Sequence, residues 1–272
     1  MNRWLGIDFS GNRRKWSSSC RTSNVWVADI RGNEGEYHVH DLRRAREIVG
    51  ELNPFDRLST FLSQGDYLLA AIDAPFSVPK QHLPDTGHAG LFEIVQRANA
   101  SPFPSAKDFV ALLSGLSDTQ PKKPLRFTER IWQNRGVNVR SALWVQPRGG
   151  AAMTAACLRL LGSCRRPLWP WDRTSHGLLV EAFPAAQLRQ WGLPHQKYNG
   201  CEEGACAVRT TILNEISKRV QVDGFREVLC TSADALDAVL CAFAGIAVST
   251  GKLSELPNEE FSEAEGWIAV HS

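Results

Sequence analysis

No charge of one sign dominates this chain. Its 272 residues carry 31 Lys and Arg against 29 Asp and Glu, a formal net charge of +2. A general basic field for nucleic acid is thereby excluded, and any such contact must be a local patch. The sequence also lacks an apolar run approaching the roughly 20 residues that a membrane helix needs. Met1-Asn2-Arg3-Trp4 runs straight into a strand rather than a leader, so no membrane partner and a cytoplasmic location are expected. Cysteine provides no framework: seven thiols are scattered at positions 20, 157, 164, 201, 206, 230 and 241. An odd count without a secretory signal argues against a disulfide scaffold. The closest pair, Cys201 and Cys206, falls outside zinc-knuckle spacing, and these thiols are expected to serve as small buried apolar groups. Repeats and low-complexity tracts are missing as well.

What remains is ordinary globular composition, 43% hydrophobic and 22% charged, enough for a substantial core. The pattern predicts a single α/β domain over residues 1–272, with an irregular, partly helical elaboration at about 75–170. Strands are predicted at residues 4–9, 24–30 and 36–41, the last two joined by a hairpin turn at 32–35. A charged helix is expected over 42–52, followed by a helix from Asn53-Pro54 to about Gln64, with Asn53 as its cap. The apolar run 67–73 suits a strand buried on both faces. Further helices are expected at 91–99, 107–113, 151–161, 185–191 and 205–220, and strands at 177–184 and 225–230. Residues 232–248 form a very apolar helix, and residues 266–270 a last apolar segment.

Three short apolar runs within these strands lead into an acid: Asp8, Asp73 and Glu181. Taken alone, Asp8 before Ser10-Gly11 reads as an Asx-turn former, and Asp73 before Ala74-Pro75 as a partner for loose backbone donors. Glu181 is a poor turn former after Leu178-Leu179-Val180, and an unpaired carboxylate in a buried strand costs several kcal/mol. Asp234 and Asp237 lie three apart on the apolar helix, hence on one face, where they repel. With Thr231 as N-cap, Asp234 would close a capping box. Asp237 has no such structural reason. In α/β sheets ligands sit beyond the carboxyl ends of the strands, and an all-carboxylate cluster there suits Mg²⁺ or Mn²⁺ rather than zinc.

In this order the motifs resemble the RNase H-like superfamily and, within it, the family called domain of unknown function 429, whose members are predicted nucleases. The resemblance rests on Gly6-Ile7-Asp8-Phe9-Ser10-Gly11, Ile72-Asp73-Ala74-Pro75, Glu181-Ala182-Phe183-Pro184, Asp234-Ala235-Leu236-Asp237 and Glu265-Gly266-Trp267-Ile268. It implies a mixed five-stranded sheet in the order 3-2-1-4-5 with helices on both sides. It also implies two metal ions, Mg²⁺ or Mn²⁺, held by Asp8, Asp73, Asp234 and Asp237, with Glu181 a further acid of the family. Resolvases of the RuvC type carry glutamate where this chain has Asp73, whose shorter reach would re-space the metals. Arg126-Phe127-Thr128-Glu129-Arg130 also looks family-like. There Arg126 and Arg130 would hold a substrate phosphate or orient Glu129, or else form a salt-bridged surface turn.

Ser10 joins them as a substrate-binding candidate. The basic stretch Lys122, Lys123, Arg126, Arg130, Arg135, Arg140 and Arg148 encloses Phe127, Trp132 and Trp144, a pattern that can track a nucleic-acid backbone and stack bases. Gly149-Gly150 ahead of a helix offers either free amides for an anion or close packing.

The function expected is phosphodiester hydrolysis of DNA or RNA by a two-metal carboxylate site. Two alternatives stand beside it. One is an ATP-binding phosphotransferase of the sugar-kinase and actin type, using residues 6–11 as a phosphate loop. The other is a non-catalytic nucleic-acid-binding protein on the same fold.

Overall fold

From Trp4 onward every residue of β1 (Asn2–Asp8) is buried, so this strand must lie inside a sheet covered on both faces. The computed structural model describes residues 1–98, 103–113, 124–146, 149–174 and 176–272. Lys122, Lys123 and Arg148 of the basic stretch, and Asn99 of an expected helix, lie outside the described residues. β2 (Trp26–Asn33) and β3 (Glu36–Arg44) extend the sheet antiparallel from β1. On the other side β4 (Leu69–Ile72) and β5 (Leu178–Glu181) run parallel to β1. β6 (Val220–Gln221) pairs in parallel with Tyr37 and His38 of β3.

The sheet is therefore mixed and six-stranded, in the order β5-β4-β1-β2-β3-β6. This corrects the expected count of five and the expected order. Val220, read as the end of a helix, instead leaves it to pair at the free edge of β3. The last apolar segment adds one parallel bridge, between Ile268 and Glu181.

Strand alternation sends Leu5, Ile7, Ala70, Ile72 and Leu179 into one core, which includes residues of α1 (Pro54–Gln64), α2 (Gly90–Arg97) and α3 (Ala106–Leu112). Beyond α4 (Phe127–Asn134), α5 (Ala151–Cys164) completes that layer. The region expected as an elaboration thus supplies most of the cover for one face. Trp4, Ala28, Ile30, Leu69, Ala71 and Val180 point the other way. There they meet α6 (Pro184–Gln190), α7 (Glu203–Ile216), α8 (Arg226–Thr231) and α9 (Ala233–Thr250), and α10 (Glu259–Glu265) follows.

Further segments differ from expectation: the strand expected at 177–184 ends at Glu181, and Pro184 begins α6. Residues 42–52 do not form a helix: β3 continues to Arg44 because Arg44 pairs with Trp26 and its guanidinium lies 4.5 Å over the indole ring. Only a short 3₁₀ turn, Ala45–Glu47, follows. Residues 225–230 are mostly helical rather than a strand. Their apolar run is too short for periodicity to separate the two, and packing between α7 and α9 decides it.

Asn53 caps α1 as expected, its Oδ1 accepting from the Phe55 and Asp56 amides at 3.1 Å. α9, at 18 residues and mean hydropathy 1.5, is the one helix among the described residues with the length and composition of a membrane span. It packs instead across β1, β2, β4 and β5.

Gly6 allows that packing. A Cβ there would fall 2.0 Å from the Ala238 carbonyl oxygen and 2.5 Å from the Ala242 amide. Gly6→Ala is accordingly expected to destabilise the fold by about 3 kcal/mol or more, since backbone must move to admit the methyl. The urea midpoint, compared with that of Gly204→Ala, checks this. Gly204 has open space around its Cα.

Candidate functional site

Ile7 of β1 and Ile72 of β4 are register partners, and the Asp73 amide donates to the Ile7 carbonyl at 2.9 Å. Asp8 and Asp73 therefore end adjacent parallel strands. Both continue the alternation that aims Trp4, Gly6, Leu69 and Ala71 at α9. The first turns of α9 bring Asp234 and Asp237 to the same place. The N-cap is Ser232, whose Oγ accepts from the Ala235 amide at 3.2 Å. Thr231 instead bonds back into α8 through the Glu227 carbonyl. The capping box expected between Thr231 and Asp234 is thus not formed, and Asp234 is released from a structural duty. A side-chain hydrogen bond links it to Asn24, while the Tyr198 hydroxyl donates to Asp237 Oδ1 at 2.9 Å.

The cluster is electrostatically unhappy with all four acids ionised. Burial first, then Asp237, Asp234 and Asp73, push the Asp8 carboxyl well above the usual range. Burial and Glu181 push Asp73 up to about 7. Asp237 is raised by burial and by Asp73, against the opposing bond from Tyr198. Asp234 is raised more mildly by burial, with Asn24, Lys15 and Arg44 opposing. Asp8 Oδ2 is buried and has no hydrogen-bond partner. No Lys, Arg or His among the described residues forms an ion pair with Asp8, Asp73 or Asp237. Three such acids so placed hold protons or require a cation.

Glu181 stands apart. It shares the Leu179 side of β5, away from α9, and is already neutralised. Arg126 Nη1 and Nη2 donate to its two carboxylate oxygens at 2.8 and 2.5 Å, and the Phe76 amide adds a third bond at 2.9 Å. Arg126 is itself only 1% exposed, so it forms no surface turn. Its Nε donates to Glu129 Oε1 at 3.0 Å, and Nη1 also reaches the Glu265 carbonyl. Burial works to strip its proton, but Glu129 and Glu181 override this and hold it charged. Glu265 accepts from the Lys80 and Phe127 amides. The motifs around residues 126–130, 181–184 and 265–268 thus meet in one buried network, which pins β5, α4 and the last segment together.

The remaining candidates separate. Ser10 Oγ accepts from the Asn12 amide and its carbonyl from Trp16 Nε1, a turn role. Arg130 is exposed, bonded to the Leu125 carbonyl and lying over the Phe127 ring. Trp132 is core at 1% exposure, whereas Trp144 is 39% exposed. Arg135 pairs with Glu255, so this member of the basic stretch is already engaged. Gly149 and Gly150 serve close packing, since a Cβ would fall 2.0 and 2.4 Å from the carbonyl oxygens of Trp144 and Ser141.

A cavity of about 640 Å³ opens over Asp73 and Asp237, with Arg126, Glu129 and Glu181 also in its wall. Asp8 and Asp234 lie outside this lining. Tyr198 and Lys197, which sequence reasoning missed, line it. Their loop is fixed by Arg209, 1% exposed, whose Nη1 donates to the Tyr198 and Gly200 carbonyls at 2.5 and 2.9 Å. A signal for Arg209 existed: it shares helical spacing with Ile212, Leu213 and Ile216, all buried in α7.

A mixed α/β sheet with carboxylates gathered at its strand ends defines the class. The chain belongs to the family described as protein of unknown function (DUF429), which it matches over residues 6–261. No curated protein and no solved structure matches it.

Burial of Asp73, with the charge of Glu181 added, sets a pH dependence. Asp73 titrates near 7 when folded against an ordinary value of 3.8, so the folded state binds more protons between them. Stability of the chelator-treated protein is therefore fullest below about pH 4 as far as this group is concerned, and is lost as pH rises through about 7. Asp73→Asn should flatten that decline in thermal unfolding between about pH 5 and 8. An unchanged slope would contradict it.

Proposed function

We propose that the chain is a metal-dependent nuclease that hydrolyses phosphodiester bonds of nucleic acid, DNA or RNA, on an RNase H-like framework. One observation carries this reading: Asp8, Asp73 and Asp237 converge with Asp234 at the strand ends, where burial raises all four carboxyls and the charges of neighbouring aspartates raise Asp8 and Asp237 further. The run β3-β2-β1-β4-β5 within the six-stranded sheet, antiparallel then parallel about β1, supports the framework.

The donor set fits a divalent ion. It is all carboxylate oxygen, as Mg²⁺ and Mn²⁺ prefer, and Asp8 offers a buried oxygen without a partner. Among the described residues no three His, Cys, Asp or Glu side chains are grouped so as to hold a metal ion as they stand. Magnesium tolerates this, because it is usually held by one or two carboxylates with water completing its shell. Asp8, Asp73, Asp234 and Asp237 would hold the ions, two in number on this reading. Once bound, such ions supply Lewis-acid activation of water and neutralise charge on the phosphate.

The protein's own part is positional. Tyr198 orients Asp237 through its hydroxyl. Arg126 neutralises Glu181, limiting the repulsion that reaches Asp73. The carboxyl of Asp73 gives up its proton near neutrality when a cation arrives. The phosphotransferase alternative is disfavoured by Gly11. A Cβ there would fall 2.5 Å from the Met153 amide, so the first turn of α5 fills the space a phosphate loop would leave open.

Labelled single- and double-stranded DNA and RNA, incubated with Mg²⁺ or Mn²⁺, test the reading. Cleavage should stop with chelator, and more Mg²⁺ should be needed for half-maximal cleavage as pH falls below about 7, because protons compete with the ion for Asp73. Asp8→Asn and Asp237→Asn should each lower it by about 100-fold or more, the upper range for disturbing a metal's surroundings. Cleavage unchanged in both variants would sink the mechanism.

A further inference from the structure

Lys197 is a non-glycine residue in left-handed conformation, at φ 61°. Such backbone is uncommon outside Gly, Asn and Asp and persists where its surroundings over-determine it. Here the surroundings are explicit. The next residue, Tyr198, is held at its carbonyl by buried Arg209 and at its hydroxyl by Asp237. Gly200 is held by the same guanidinium. Lys197 is thus fixed by its neighbours at the wall of the cavity that Asp73 and Asp237 also line. It is exposed, and its ammonium has no hydrogen-bond or ion-pair partner among the described residues. A lysine beside a carboxylate cluster would ordinarily neutralise it, yet no ion pair joins Lys197 to either acid. The cation is left unengaged at the cavity wall.

The space limits what the cavity can take. About 640 Å³ lies within the range of small-ligand sites, roughly 300–1,000 Å³. That range suits one or two nucleotides, whereas a duplex presents grooves of about 6 and 12 Å between paired strands. The net charge of +2 provides no general field to hold a duplex from outside. Val139, Phe183 and Ile268 give the wall apolar surface alongside its charged groups, as a base and its phosphate together require.

We infer that Lys197 grips a phosphate of single-stranded nucleic acid, and that the cavity takes a strand one or two nucleotides at a time. The inference rests on the nuclease reading, since it takes Asp73 and Asp237 in the same cavity as the reacting end. Lys197 is then a substrate-positioning residue and the acids are the metal holders.

Lys197→Asn is the informative change: Asn adopts left-handed backbone readily, so it removes the charge without disturbing the loop. Lys197→Arg restores a cation. Fluorescent six-nucleotide single strands of DNA and of RNA, and a blunt hairpin duplex, serve as probes with Mg²⁺ for cleavage. Anisotropy with Ca²⁺ in place of Mg²⁺ reads binding apart from cleavage.

The wild type should prefer the single strands. Lys197→Asn should raise KM for them about tenfold while kcat stays within about twofold. Its binding should lose about 0.7 from the slope of log affinity against log salt, and Lys197→Arg should recover most of the loss. The DNA and RNA arms decide which strand is the better ligand.

Cleavage with KM unchanged in Lys197→Asn, or with the hairpin cut as well as the single strands, overturns the inference and leaves the nuclease reading standing. Single-strand binding that depends on Lys197 without cleavage supports the grip and overturns the nuclease reading. Neither binding nor cleavage overturns both.

Discussion

A single close approach organises the molecule. At Gly6, α9 lies against β1 with no side chain between them, because Gly6 presents only hydrogen to Ala238 and Ala242. That contact sets the height of α9 above the sheet and, two residues further along β1, the position of Asp8 relative to Asp234 and Asp237. The helix is buried for most of its length and bears its two acids where it overhangs the strand ends. Packing density and acid convergence are two results of the same contact. An apolar helix can be drawn tightly onto a sheet, and the charges are carried along with it. The free energy of burial holds the carboxylates together against their repulsion.

A second arrangement supports the first from the other side of β5. Arg126, Glu129, Glu181 and Glu265 place one guanidinium among three buried carboxylates, and amides of Phe76, Lys80, Arg126 and Phe127 supply further donors. Networks of this kind add little stability over an apolar core but leave few alternative arrangements, since removing any member strands a buried charge. They join segments distant in sequence at the wall of the cavity. The acids over the strand ends are underneutralised and available, whereas those of the network are satisfied and fixed.

Much of this was legible in the sequence, for stateable reasons. Asn53-Pro54 announced its helix because capping chemistry is local, and the strand-ending acids were visible because a buried apolar run makes a terminal charge conspicuous. Asp237 was the clearest signal, being a carboxylate in a helix with no polar face. What escaped was decided by partners far away in the chain. Arg44 remained in a strand because Trp26 lay opposite. The sixth strand needed an open edge on β3 before two residues could join it. Glu181 read as another reactive acid because nothing local revealed that Arg126 would neutralise it. Arg126 in turn read as a phosphate ligand because its burial depends on three separate segments. Tyr198 and Lys197 sit in a loop whose shape is dictated by Arg209 from a helix that follows it.

The contact at Gly6 also has a kinetic side. Gly6 meets residues more than 230 positions further along the chain, and Asp8 meets its helical partners across a similar span. Closing so long a loop carries an entropic cost that local contacts cannot offset in advance. The hairpin β2–β3 and the helices over the opposite face can form early from nearby residues. The acid cluster can form only when α9 docks, so its assembly waits on the closure of this long loop. Until then one face of β1 and β4 is uncovered, and exposed apolar surface of that kind favours association between copies of a chain.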